Sequence, residues 1–223
     1  MKGLIKKDLF NLASYKSTLI FLIIFCGIAL FGTGSLSFAS LLIGAIVGMI
    51  SLSTFNYDES SKAEKYILSL PVTKKEIVLS KYILAILSAV FGCVLGMLLS
   101  ILVVPFLNMI RPEANLTLSF SSLLIGAIGG LFGISLIQSI QIPCIYKWGA
   151  ERGRIQMFLL LFLVIALVVG GVFLLNHFSF QISMAEVEQF MNFFGIPLLL
   201  ALTVFMYYIS YRISYRLMLK KDH

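Results

Sequence analysis

Charge is what this sequence has least of. Only 12% of its 223 residues are Asp, Glu, Lys or Arg, while 60% are hydrophobic and the mean hydropathy is +1.02. A soluble domain of this length has no interior large enough to hide that much apolar surface, so the bilayer is the expected solvent. Histidine is equally sparse: His177 and His223 stand alone, and no Cys/His cluster has the spacing of a metal site, so no metal ligand is assigned. The three cysteines, Cys26, Cys93 and Cys144, make no disulfide framework. There is no G-x-x-x-x-G-K-[ST] phosphate loop, no H-E-x-x-H and no nucleophile elbow, so no catalytic residue or nucleotide site is assigned. Nor does any ionisable residue lie well inside an apolar run, which disfavours an ion-coupled pump. No cleavable signal peptide is apparent, because the first apolar run starts only after Lys16. The net charge of +7 raises the question of nucleic acid. The basic residues fall between apolar runs, not in a stripe interleaved with aromatics, so no nucleic-acid partner is expected.

What is present is a series of apolar runs. Six reach the length of a membrane span, at about 17–32, 36–56, 78–106, 119–141, 155–176 and 191–211. The third is longer than a span needs, which predicts that part of it projects or tilts. Sixteen of the seventeen Lys and Arg residues fall on one side of this arrangement, and only Arg111 on the other. The positive-inside rule then puts both termini in the cytoplasm, in agreement with an even number of spans. The expected fold is an all-α integral membrane protein. Residues 1–16 would form an N-terminal interfacial helix and 17–223 a six-span domain. Small residues one turn apart, Gly92 with Gly96 and Gly126 with Gly129 and Gly130, predict close helix–helix packing and are candidates for a contact between two copies. Outside, Ser183 and Glu186 have the spacing of a capping box ahead of the sixth span. Asn56, Gln138 and Gln141 are the largest polar side chains in or near a span; interhelical hydrogen bonding is the plain reading, and contact with a transported molecule the alternative.

The loops on the basic side carry the sharpest local signals. Ser61 with Glu64 forms a capping box that starts a short helix at about 62–70, and Pro71 stops it. Thr73 with Glu76 forms a second capping box, flanked by Val72 and Ile77 in staple positions, so the third span is expected to start firmly at about residue 74. Ala63, Ile67 and Leu70 share one face of the short helix, with Lys62, Glu64 and Lys65 off it. This suits docking to a cytoplasmic partner, the plainer alternative being a loop resting on headgroups. The second loop runs from Pro143 to Arg154. Tyr146 and Trp148 suit the membrane interface, Gly149 permits a turn, and Glu151 and Arg154 are spaced to pair on one helical turn.

The run Glu64-Lys-Tyr66-Ile67-Leu-Ser-Leu70-Pro71-Val-Thr73-Lys-Lys-Glu76 resembles the loop between spans two and three of short, six-span permease subunits of bacterial ATP-binding-cassette (type-2) exporters. Pro143-x-x-Tyr146-Lys147-x-Gly149-x-Glu151-x-x-Arg154 is similar to their second cytoplasmic motif, and Leu4-Ile-Lys-Lys-Asp8-Leu resembles their opening interfacial helix. As a helical wheel that opening segment is only weakly amphipathic, since Lys2, Asp8 and Lys16 flank Ile5, Leu9 and Leu12. The resemblance implies a permease in the bacterial plasma membrane without its own engine. Its partners would be a separate cytoplasmic ATPase holding ATP and Mg, and a second permease, identical or paralogous. Residues 62–70 would be the coupling helix seated on the ATPase. The cargo would be an amphipathic peptide, as for phenol-soluble-modulin and antimicrobial-peptide exporters. The chain itself would bind no cofactor and catalyse nothing. The rival reading is a structural or signalling membrane subunit that docks a partner without transporting.

Overall fold

The computed structural model describes residues 2–13, 36–61, 71–110, 120–150 and 195–220, with isolated residues between 20 and 28 and between 152 and 170. Every regular element among them is helical. In chain order these are α1 (Lys2–Ala13), α2 (Leu36–Ile50), α3 (Ser53–Ser60), α4 (Lys74–Ile110), α5 (Phe120–Trp148) and α6 (Ile196–Leu219). Four stretches are long and apolar enough to cross a membrane: Ser40–Ser60, Lys74–Pro105, Phe120–Trp148 and Ile196–Leu219. They correspond to the second, third, fourth and sixth runs in the sequence. The first and fifth runs fall mostly outside the described residues. Within them Ile20, Ile24 and Ile28 are helical and exposed at intervals of four, as are Ile155 and Leu159 with Phe162 one turn on, a spacing that suits lipid-facing stripes.

α4 is 37 residues long, about 55 Å at the α-helical rise, well beyond a hydrocarbon core of about 30 Å. Its length agrees with the expectation that the third run overreaches a single span.

α2 lies between α4 and α5, and the reason is glycine. A Cβ on Gly92 would sit 2.7 Å from the Gly44 carbonyl oxygen, one on Gly96 would sit 2.7 Å from that of Ser40, and one on Gly130 would sit 3.0 Å from Leu41 Cα. Backbones this close exclude any side chain, and dispersion contacts across them replace the hydrophobic drive that lipid does not supply. The small-residue faces of Gly92, Gly96 and Gly130 are therefore occupied inside the chain. The expectation that they could pack a second copy is corrected for these three.

Between α2 and α3 the chain tightens without leaving the helical path. Leu52 N–H bonds the Met49 carbonyl at 3.0 Å, three residues back, and Thr54 N–H bonds that of Ser51 at 3.3 Å. The hydroxyls of Ser51, Ser53 and Thr54 also reach back three residues, at 2.9, 2.6 and 2.8 Å. This local competition for carbonyls is what a Ser/Thr-rich stretch does inside a helix. It carries the second span on to Ser60, past the expected end at residue 56.

The largest apolar cluster sits where α1, α3, the start of α4 and the ends of α5 and α6 converge. It contains Leu4, Leu52, Phe55, Ile77, Val78, Tyr82, Ile142, Ile145 and Met218. Two smaller clusters lie further along the bundle among the described residues, Ile43 with Val47 and Val104 with Leu123.

Candidate functional site at the basic end of the bundle

The helix directions place Lys6, Lys7, Lys74, Lys75, Lys81, Lys147, Arg212 and Arg216 at this one end. The first turn of α4 is built as its sequence predicts. Thr73 N–H donates to Glu76 Oε2 at 2.9 Å, and Glu76 N–H donates to Thr73 Oγ1 at 3.3 Å, so two free donors at the helix start are satisfied reciprocally. The Thr73 backbone N–H, and then its hydroxyl, hold the exposed Glu76 carboxyl below the usual carboxylate range. Val72 packs against the cluster that contains Ile77, completing the staple. Pro71 is exposed just ahead of the cap. Glu64, Tyr66, Ile67 and Leu70, with the whole helix expected at about 62–70, lie outside the described residues, as do Glu151, Arg154, Ser183 and Glu186.

The second loop differs from its sequence reading. Residues 143–148 are the last turns of α5, and the helix runs through Pro143 to Trp148. Proline has no N–H to offer the carbonyl four residues back, that of Ser139. The Ser210 hydroxyl of α6 supplies the missing donor at 2.7 Å. Re-satisfying a freed backbone group from a neighbouring helix is what lets proline persist inside a membrane helix. Because Ser210 donates there, Tyr82 O–H donates to Ser210 Oγ at 2.5 Å and in turn accepts from Ser214 Oγ at 2.8 Å. Three helices are thereby joined by one directional chain of hydroxyls.

Gly149 ends α5. Its φ of +88° is left-handed, where glycine alone is unstrained, and its N–H bonds the Ile145 carbonyl at 2.8 Å. At Ala150, where the chain turns helical again, the backbone N–H donates to the Glu59 carboxylate of α3. A Cβ on Gly149 would stand 3.0 Å from Glu59 Oε1. Tyr146 meets Phe55 of α3 edge to face at 5.7 Å, and the Lys147 ammonium lies 4.4 Å above the Trp148 ring. The stem of the first loop and the turn of the second are thus in direct contact. Glu59, which sequence reasoning missed, is the joint.

Gln138 is fully buried. Its amide donates to the Gly48 carbonyl at 2.8 Å and to Ser51 Oγ at 3.2 Å, and its carbonyl accepts from the Tyr207 hydroxyl. The Gly48 carbonyl, whose helical donor is drawn off by the tightening at Leu52, also accepts from the Ser51 hydroxyl at 2.9 Å and the Ser88 hydroxyl at 3.3 Å. Gln138 joins this cluster and bonds α2, α5 and α6 together, in line with the interhelical reading. Gln141 is also buried, and its Oε1 has no hydrogen-bond partner among the described residues. Asn56 is half-buried on α3.

The strongest polar feature was not anticipated. Lys81 and Asp8 are both buried, at 6% and 1% exposure. With Lys7 and Asp58 they close a ring of alternating charge. Lys81 lies 3.0 Å from Asp8 Oδ1 and 2.6 Å from Asp58 Oδ2, and Lys7 lies 2.5 Å from Asp58 Oδ1 and 3.3 Å from Asp8 Oδ1. Two lysines and two aspartates neutralise each other, the condition for keeping charge out of water. The same ring explains the weak amphipathicity of α1. Its inner face offers Leu4 and Asp8 to the protein, while Leu9 and Phe10 on the outside are exposed.

Among the described residues no group of His, Cys, Asp or Glu could hold a metal ion. Neither the search of curated proteins nor that of solved structures finds a match. The family model described as ABC-2 family transporter protein matches residues 3–218, from α1 to the last turn of α6. With a bundle of apolar, membrane-length helices carrying that match along almost its whole length, the chain belongs to the ABC-2 family transporter proteins, the multi-pass membrane subunits of ATP-binding-cassette transporters.

Proposed function

We propose that this chain is the permease of a bacterial exporter that moves amphipathic or hydrophobic peptides, of the toxin or antimicrobial class, out of the cell. A separate cytoplasmic ATPase, with its ATP and Mg, supplies the work, and two permeases form the pathway between them. The chain crosses the plasma membrane six times with both termini in the cytoplasm, and its basic end faces the ATPase. Family membership supports the partnership with an ATPase. The aliphatic and aromatic side chains that dominate every run support an apolar or amphipathic cargo.

The observation that carries the mechanism is the reciprocal cap at Thr73 and Glu76. It locks the first turn of a 37-residue helix three residues after the segment 62–70, so in this reading a push on that segment passes to the membrane through the short link 71–73. The docking face in this reading is Ile67 with Leu70, edged by Glu64 and Tyr66. Placing carboxylates there, Ile67→Asp with Leu70→Asp, puts charge into an apolar groove. This double variant is expected to insert normally, to lose the ATPase in pull-down and to lose export. Retention of both ATPase binding and export would overturn the docking assignment. Stimulation of ATP hydrolysis by an amphipathic helical peptide of about 20 residues separates a permease from a subunit that only docks a partner.

A further inference from the structure

We propose that Lys81 is a positioning residue that welds both stems of the segment 62–70 to α1, so that the ATPase moves α1, α3 and the start of α4 as one body. This rests on the reading that the segment docks the ATPase. Asp58 stands on the stem entering the segment and Lys81 on the stem leaving it. A direct ion pair between them, at 2.6 Å, ties the stems across the base of the loop. An ammonium has three protons. Lys81 directs one at Asp8 Oδ1 3.0 Å away and one at Thr54 Oγ1 3.3 Å away, with the Asp58 carboxylate in ion-pair contact and the Phe55 ring 5.0 Å from its nitrogen. The acceptors come from α1 and α3 and the donor from α4, so all three helices converge on one nitrogen. Lys7 adds a second tie from α1 to Asp58 from the outer side.

Stability alone is a poor reason for such a node. Apolar residues of similar volume replace buried ion pairs without loss in many proteins, whereas a directional network fixes the register of the elements it joins. Here those elements are the two stems of the loop and α1, which among the described helices meets the bundle mainly at α3 and α4. The ring makes α1 a passenger of the loop.

The test uses the full permease with its ATPase in nanodiscs, with spin labels at the exposed positions 6 and 75, on α1 and α4. In the native background the distance distribution between the labels should be narrow, and it should stay in place when the ATPase is trapped with nucleotide. The neutral triple variant Asp8→Asn, Asp58→Asn, Lys81→Met removes the weld without leaving a buried unpaired charge. It should broaden the distribution and keep ATPase capture and hydrolysis. Labelled amphipathic peptide moved per ATP should fall about tenfold, a loss in the range of coupling energies carried by one network. A merely structural ring would change abundance and leave that ratio alone. The inference is overturned if trapping shifts the native 6–75 distance, a measurement that stands even if the triple variant does not accumulate. It is also overturned if the triple variant keeps the native distribution or the native ratio. If the native chain captures no ATPase, the docking reading fails and takes this inference with it. Normal capture with an unchanged ratio removes the inference alone.

Discussion

Lys7 and Asp8 are neighbours in sequence and opposites in setting. Asp8 is 1% exposed and holds two lysines, whereas Lys7 is one-third exposed. Removing Asp8 leaves two lysines on the single carboxylate of Asp58, so an uncompensated positive charge stays beside the buried Lys81. Asp8→Ala should therefore destabilise the protein by about 3–5 kcal/mol, while Lys7→Ala should cost less than about 1 kcal/mol. Thermal unfolding of the two purified variants in detergent reads the difference, and the reverse order would contradict the burial of Asp8. The glycines divide in the same way. Gly96→Val drives a side chain into the Ser40 backbone, which side-chain rotation cannot relieve. It should cost at least the 1–3 kcal/mol or so of an overpacked core. Gly133→Ala meets nothing within 4 Å and should gain up to about 1 kcal/mol in helix propensity. The same unfolding measurement separates them.

At the scale of elements, the terminations matter most. Gly149→Ala forces a Cβ into the left-handed region and toward Glu59, at a cost of about 1–2 kcal/mol for the backbone alone. Amide exchange at Ala150 should speed up in this variant, and unchanged exchange would show that the Glu59 contact does not depend on the turn. The cap of α4 depends on pH with a defined sign. Glu76 is held below its ordinary value, so its contribution is complete above the ordinary carboxylate range and fades as pH falls through the lowered one. Amide exchange of the first turn of α4, corrected for intrinsic rates, should lose protection on acidification in the native chain. In Glu76→Gln it should not.

These elements also show what one sequence can disclose. Thr73 and Glu76 are three residues apart, so their pairing could be read directly from the chain, and the structure matches it bond for bond. Apolar runs long enough to span are visible for the same reason, since helix geometry is local. The ring could not be seen because Asp8 and Lys81 are separated by 73 residues. Each had a sufficient local explanation, Lys81 as a topological charge and Asp8 as part of a mixed helix face. Pro143 misled in a related way. It marks a helix end unless a distant donor replaces the lost N–H, and that donor, Ser210, is 71 residues from Ser139. Gln138 matches the interhelical reading because an amide buried between helices gains by pairing with whichever backbone or hydroxyl group lies in reach.

At the scale of the whole molecule, the proposed orientation makes Glu186 external and Arg154 cytoplasmic. In a cysteine-free background, an impermeant thiol reagent on intact cells should modify a cysteine at 186 and spare one at 154; the opposite pattern would invert the protein in the membrane. The distribution of contacts has a mechanical consequence as well. At the basic end, ion pairs, the hydroxyl chain, the Glu59 joint and the largest apolar cluster all fall together. These ties give α4 a fixed handle at the basic end. A small tilt imposed there is multiplied along a helix about 55 Å long, so that displacement grows with distance from the handle.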